Sequence, residues 1–283
     1  MSTLTADPAT PGTPGTSSSP RPRPPYKVTG TRVLRAEWAK FWSLRSTWIT
    51  LGLALLFLVA FGLLAAANYS PTGTGRGPGA DAKDAIGIAL GGSGFAQLAI
   101  GVLGVLVAGG EYSTGMVRST LAAVPRRLPV LWSKAAVYGA VALVVATFGA
   151  FASFLAGEHS LSGQAIALNL SSAGVLRSLL GAGVYLGLVG VFGVALGALV
   201  RSVAGGIGTL VASLMLLNLL PSLLPGNLGN DISPYLPGNA GGSIFALHQA
   251  SNTLSPGAGL AVFAGWVALA LAGAAWRLKR SDA

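Results

Sequence analysis

Residues 178–200, "SLLGAGVYLGLVGVFGVALGALV", run for 23 residues without a charged side chain. A helix of that length, at about 1.5 Å per residue, covers the ~30 Å hydrocarbon core of a bilayer. Five more uncharged runs of 19 to 24 residues lie at 47–67, 86–109, 135–157, 202–224 and 258–276. Only 9% of the 283 residues are charged, far below the roughly one quarter usual in soluble domains. The expected fold is therefore an all-α integral membrane protein with six transmembrane helices.

Lysine and arginine set the expected orientation, because cytoplasmic connections carry them in excess. With the N-terminus inside, fifteen of the 18 basic residues fall on the cytoplasmic side, and Arg76, Lys83 and Arg177 alone fall outside. Both termini are then cytoplasmic. The net charge of +10 is accounted for by topology and by contact with anionic headgroups, which leaves no case for a nucleic-acid partner. The lipid bilayer is the partner this charge implies.

Residues 1–31 hold seven prolines before Tyr26, many Ser, Thr and Gly, and no apolar core of a signal peptide. That composition predicts a disordered cytoplasmic tail, with the membrane domain over 32–283. From 31 to 45, "TRVLRAEWAKFWSLR" takes a helical period: Leu34, Trp38, Phe41 and Trp42 share one face, Arg32 and Lys40 the other, and Arg35 the border. A basic amphipathic helix edged with tryptophan rests in the membrane interface. This predicts an elbow leading into the first span, carried by Arg35, Trp38, Lys40, Trp42 and Arg45; the alternative is a straight cytoplasmic extension of that span.

The fourth span aligns Gly183, Gly187, Gly190, Gly193 and Gly197, a spacing that lets backbones approach closely. The stripe serves helix packing within the chain, a dimer face or a substrate-facing wall. Arg201 alone separates spans four and five, which predicts a tight hairpin. Asn218 and Pro221 sit in the fifth span, where proline kinks a helix. Residues 225–257 are too apolar for a free loop and predict one or two short helices in the outer leaflet.

Several chemistries find no support. The chain has no cysteine and two distant histidines, so neither disulfides nor a metal site is expected. No lysine follows a glycine, so no phosphate-cradling loop of the G-x-x-x-x-G-K-[ST] type exists. The uncharged runs contain no ionisable group for a gradient to act on, which weighs against a gradient-driven carrier. "GGSG" at 91–94 matches the G-x-S-G pattern of intramembrane serine proteases, but both histidines fall in exterior segments, away from any such serine. No catalytic residue and no bound cofactor is expected. Ser93, Gln97 and Asn218 are the uncommon polar groups at membrane depth; they line a cavity or bond to neighbouring helices.

Between spans two and three, "GEYSTGMVRSTLAAVPRR" (110–127) gathers most of the charge in the middle of the chain. Ser113 or Thr114 is suited to N-cap a short helix starting near Gly115, with Glu111 just before it. Met116, Val117, Thr120, Leu121 and Val124 cover one side and Arg118 the other. Pro125 stops the helix, and Arg126 and Arg127 follow. By periodicity alone such a helix either projects from the membrane or lies flat on anionic lipid.

"EWAKFWSLRSTW" (37–48), "GEYSTGMVRSTLAAVPRRLPVLWSKAA" (110–136) and "YLPGNAGG" (235–242) together resemble the permease subunits of ATP-binding cassette (ABC) transporters of the type 2 exporter class, especially alanine- and glycine-rich actinobacterial ones. The likeness runs from about residue 31 to the C-terminus. It implies an elbow helix at 32–45 and a coupling helix at 113–124 that docks on a separate ATPase. Glu111, Gly115 and Pro125 match the family's glutamate, glycine and proline, and re-entrant outer helices would fall within 225–256. It further implies two ATPase copies that hold ATP and magnesium, a second permease subunit forming a homodimer, and a plasma-membrane location. The competing classes are an ATP-independent carrier or channel and a structural membrane protein.

Overall fold

Among the described residues of the computed structural model (29–70, 84–124, 127–164, 166–225 and 227–280), all regular structure is helical. The proline-rich tail lies outside them up to residue 28, as do residues 71–83 of the first exterior loop. In chain order the helices are α1 (Gly30–Ser43), α2 (Arg45–Ala67), α3 (Ala85–Ala89), α4 (Ser93–Ser113), α5 (Met116–Ala123), α6 (Leu128–Leu161), α7 (Val175–Val200), α8 (Val203–Val211), α9 (Leu228–Ile232), α10 (Pro237–Phe245) and α11 (Pro256–Arg280). Six helices are long and apolar enough to cross a membrane: α2, α4, α6, α7, the composite Val203–Leu223, and α11.

α2, α6, α7 and α11 outrun the apolar runs that foretold them, whereas α4 begins only at Ser93 and the fifth span stays within its run. α6 has 34 residues, which at about 1.5 Å each gives roughly 51 Å, well beyond a ~30 Å hydrocarbon core. Ionisable side chains therefore sit on the spanning helices just beyond the uncharged runs. Glu111 is on α4, Lys134, Glu158 and His159 are on α6, Arg177 is on α7, and Arg277 is on α11. A charge ends an apolar run, but it does not end backbone hydrogen bonding; a cap does.

α7 is the most deeply buried of the six, and its glycine stripe shows why. A methyl at Gly183 would collide with Thr147, and one at Gly187 with Leu143, both on α6. At the other end, methyls at Gly193 and Gly197 would strike the backbone of Gly101 and Val105 on α4. Gly190 lies between, against Tyr138 and Ile100. The stripe therefore seats α7 against two neighbours of its own chain, which excludes a dimer face or a substrate wall for these five residues.

Polar ties supplement this packing. Ser153 on α6 is fully buried and donates to Leu58 O of α2 at 3.1 Å and Ala89 O of α3 at 2.7 Å. The "GGSG" turn has a packing role, since a side chain at Gly92 would meet the α2 backbone at Phe57 and Leu58. Arg201 closes the α7–α8 hairpin with φ 58°, a left-handed conformation rare outside glycine. Its guanidinium is held by Arg277 O at 3.3 Å and lies 5.3 Å from the centre of the Tyr112 ring.

The fifth span changes pitch. After α8 it opens into one π-helical stretch, Ala212–Leu216, and tightens into a 3-10 helix, Leu217–Leu223, that contains Pro221. Proline lacks the amide proton and crowds the carbonyl four residues back, so a regular α-helix cannot pass through. Beyond it, in the stretch 225–257 where one or two short helices are expected, α9 and α10 form, and α10 packs on α7 and α11.

Candidate functional site

Four charged side chains meet where α1, α4, α5 and α6 come together. On α1, Val33, Glu37 and Phe41 recur every fourth residue and so share one face; that face is buried. Leu34, Trp38 and Trp42 share the exposed face, as their period foretold, but Phe41 turns inward with Glu37. Arg35 and Arg45 are exposed. The chain breaks at Leu44, in an extended conformation (φ −89°, ψ 111°), before α2 starts. The alternative of one straight extension of the first span is thereby removed.

Lys134 Nζ lies 2.6 Å from Glu37 Oε2 and 2.8 Å from Glu111 Oε1. Lys40 Nζ lies 3.1 Å from Glu37 Oε1 and 3.1 Å from the same Glu111 Oε1. The side chains of Glu37, Lys134 and Glu111 are 5%, 7% and 8% exposed, and that of Lys40 is 33% exposed. Burying an isolated ion costs several kcal/mol. Here two ammonium groups face two carboxylates, so the cluster carries no net charge, and each lysine touches both acids. Burial pulls the Lys40 pKa down, but the carboxylates of Glu37 and Glu111 outweigh it and hold the ammonium above the ordinary lysine value.

The third Lys40 bond, 3.4 Å to Thr120 Oγ1, reaches α5. That helix follows Gly115, whose φ of 73° is the left-handed conformation a side chain would oppose. Ser113 and Thr114 do not cap it: their hydroxyls donate backward to Gly110 O at 3.0 and 2.9 Å and so finish α4. Gly115 takes the N-cap position instead, and Glu111 belongs to the last turn of α4. Met116 is exposed. Pro125, Arg126 and the side chains of Arg118 and Leu121 lie outside the described residues. Arg127 donates to Leu278 O at 3.3 Å and ties the start of α6 to the end of α11.

Beside the cluster is a cavity of about 340 Å³, bounded by α1, the start of α2, the end of α4, Met116 and α6. Its walls are mostly apolar, and all four members of the charge cluster, Glu37, Lys40, Glu111 and Lys134, border it together with Tyr138. Tyr138 donates to Ile100 O at 2.5 Å. None of Ser93, Gln97 and Asn218 lines this space. Gln97 accepts a hydrogen bond from Tyr185 of α7, Asn218 donates to Leu214 O at 3.0 Å within its own helix, and Ser93 opens α4. Those contacts are bonds to neighbours and do not gather the three residues into one site.

Sequence alone assigns Lys40 and Glu111 to separate elements and gives no role to Glu37 or Lys134. One signal for Glu37 was present: a carboxylate spaced four residues from Val33 and from Phe41, on an otherwise apolar stripe. No family model matches this chain, and no curated protein matches it.

Proposed function

We propose that this chain is the membrane-spanning permease subunit of an ABC exporter, working as a homodimer with two copies of a separate ATPase that binds ATP and magnesium. The observation that carries the proposal is the Lys40 junction, in which one ammonium contacts α1, α4 and α5 at once. In this reading α5 is the coupling helix, seated on the ATPase, and α1 is the elbow. Leu34, Trp38 and Trp42 of the elbow face lipid, while Arg35 and Arg45 meet headgroups of the cytoplasmic leaflet. Both termini are cytoplasmic, the membrane is the plasma membrane, and α9 and α10 dip into its outer leaflet.

Closure of the ATPase pair on ATP then pushes α5. The charged junction passes that push to α4 and α6, which tilt as levers and alternate access to a cavity between the subunits for an amphipathic or apolar substrate. Each acid is engaged by both lysines, so the cluster acts as a mechanical tie. A proton relay would need a carboxylate free to change its charge.

The test is co-purification with an ABC ATPase, sought first in the reading frames beside this gene. Arg118→Glu combined with Leu121→Asp is expected to abolish it and to stop ATP-dependent efflux while the permease still inserts and folds. Retention of the ATPase by that double variant, or solute movement by the purified chain alone in vesicles, would overturn the proposal.

A further inference from the structure

The cavity beside the charge cluster has features that the coupling role does not use. Glu111 engages both lysines through Oε1, and its Oε2 accepts no hydrogen bond from a described residue. Thr47 also lines the cavity, is 2% exposed, and its hydroxyl makes no hydrogen bond with a described residue. Glu111 and Thr47 thus bring an acceptor and a hydroxyl with hydrogen-bonding capacity left to the edge of one largely apolar space, which Glu37, Lys40, Lys134, Ser43 and Thr114 also border.

We propose that this cavity binds a neutral, hydroxyl-bearing amphiphile of the monoacylglycerol or long-chain alcohol class, drawn from the adjoining lipid leaflet. The size fits one slender apolar body, since 340 Å³ is at the lower end of the ~300–1,000 Å³ typical of ligand pockets. Phe41, Leu106 and Val107 supply apolar wall. Leu44, at the α1–α2 break, both lines the cavity and is 49% exposed, which brings one wall of the cavity to the surface of the bundle. The rings of Trp42 and Trp48 lie 4.3 Å apart, tilted by 45°, beside that break, and tryptophans in such positions mark the headgroup level of a membrane.

Charge selects the head. A fatty-acid carboxylate would be repelled by Glu111 Oε2, and an alkylammonium by Lys40 and Lys134. A hydroxyl donates to Glu111 Oε2 and exchanges a second hydrogen bond with Thr47 while the quartet stays neutral. This inference does not rest on the ATPase partnership, because it concerns binding by this chain alone.

The experiment uses the purified full chain in lipid nanodiscs, a monoacylglycerol bearing a diazirine on its acyl chain, and mass spectrometry to locate the cross-links. Labelling is expected to saturate and to fall within 41–47 and 106–116. Excess unlabelled monoacylglycerol should compete, whereas the fatty acid and alkylamine of equal length should not. Gly110 lines the cavity, and a Cβ there meets no atom within 4 Å, so Gly110→Leu fills the space without touching the charges. It should cut labelling at least about tenfold, as a filled pocket excludes its ligand. Thr47→Val keeps the shape and should cut it about fivefold, the value of one hydrogen bond; it decides the matter if Gly110→Leu does not fold. Labelling insensitive to the folded variants and spread along Ile49, Leu53 and Leu56, or better competition by the acid or the amine, would overturn the proposal.

Discussion

Lys134 Nζ lies 2.6 Å from Glu37 Oε2, joining residues 97 apart in sequence, with both side chains more than nine-tenths buried. Removing either one leaves the buried cluster with one charge unbalanced, which costs about 3–5 kcal/mol. Glu37→Met and Lys134→Met are each expected to destabilise the protein by that order. Glu37→Met combined with Lys134→Met should cost clearly less than the sum, because Lys40 and Glu111 still balance one another. Chemical denaturation in detergent measures all three; additive losses would show that the two residues do not act as a pair.

Lys40 gives a pH dependence of known sign. Its folded-state pKa is raised, burial being outweighed by Glu37 and Glu111. A raised pKa means that its contribution is complete below the ordinary value of 10.5 and is lost as pH climbs through the folded value. The gap in melting temperature between the native chain and Lys40→Met should therefore stay level from about pH 6 to about pH 10, where lysines remain protonated. A gap that closes between neutral pH and about pH 9, below the ordinary lysine range, would mean that the ammonium gains nothing from the two acids.

Glycines on α7 and α8 should respond in opposite ways. Gly193 abuts the Gly101 carbonyl, so Gly193→Ala forces α7 and α4 apart, at roughly 3 kcal/mol for overpacking. Gly208 on α8 has no atom within 4 Å of a built Cβ, and Gly208→Ala should be neutral or gain up to about 1 kcal/mol in helix propensity. Thermal unfolding of the two variants side by side tests this, and equal stabilities would contradict the packing described for α7.

Ser153 joins three helices through one hydroxyl. Ser153→Ala should cost about 1 kcal/mol, in the range of hydrogen bonds between membrane helices. Ser153→Val should cost more, because Gly62 and Ala89 already crowd the hydroxyl. If valine is tolerated as well as alanine in a thermal-stability assay, the α2–α3–α6 junction is looser than these contacts imply.

The six spans were legible because bilayer thickness fixes the length of an uncharged run, and residues 178–200 could hardly be anything else. The α7–α8 turn and the two short helices after Pro225 were legible too, from a lone arginine and from an apolar stretch that could not stay a loop. Helix ends were not: Glu111 and Lys134 stop an apolar run but sit comfortably on helices once paired. The caps of α5 were missed because Ser113 and Thr114 serve either the helix before them or the one after, and spacing does not choose. Glu37 shows the deeper limit. Its partners Lys40, Glu111 and Lys134 come from three elements, and only folding brings them within hydrogen-bond reach.

The fifth span has a mechanical consequence. Against a keel of α4, α6 and α7 zipped together by glycine contacts, Val203–Leu223 changes from α to π to 3-10 winding within one crossing. Its Asn218 keeps a buried carbonyl oxygen that no described residue satisfies. Compliance in this bundle is thus concentrated at one place on its perimeter, where a helix can rewind by exchanging hydrogen-bond partners while the keel stays rigid.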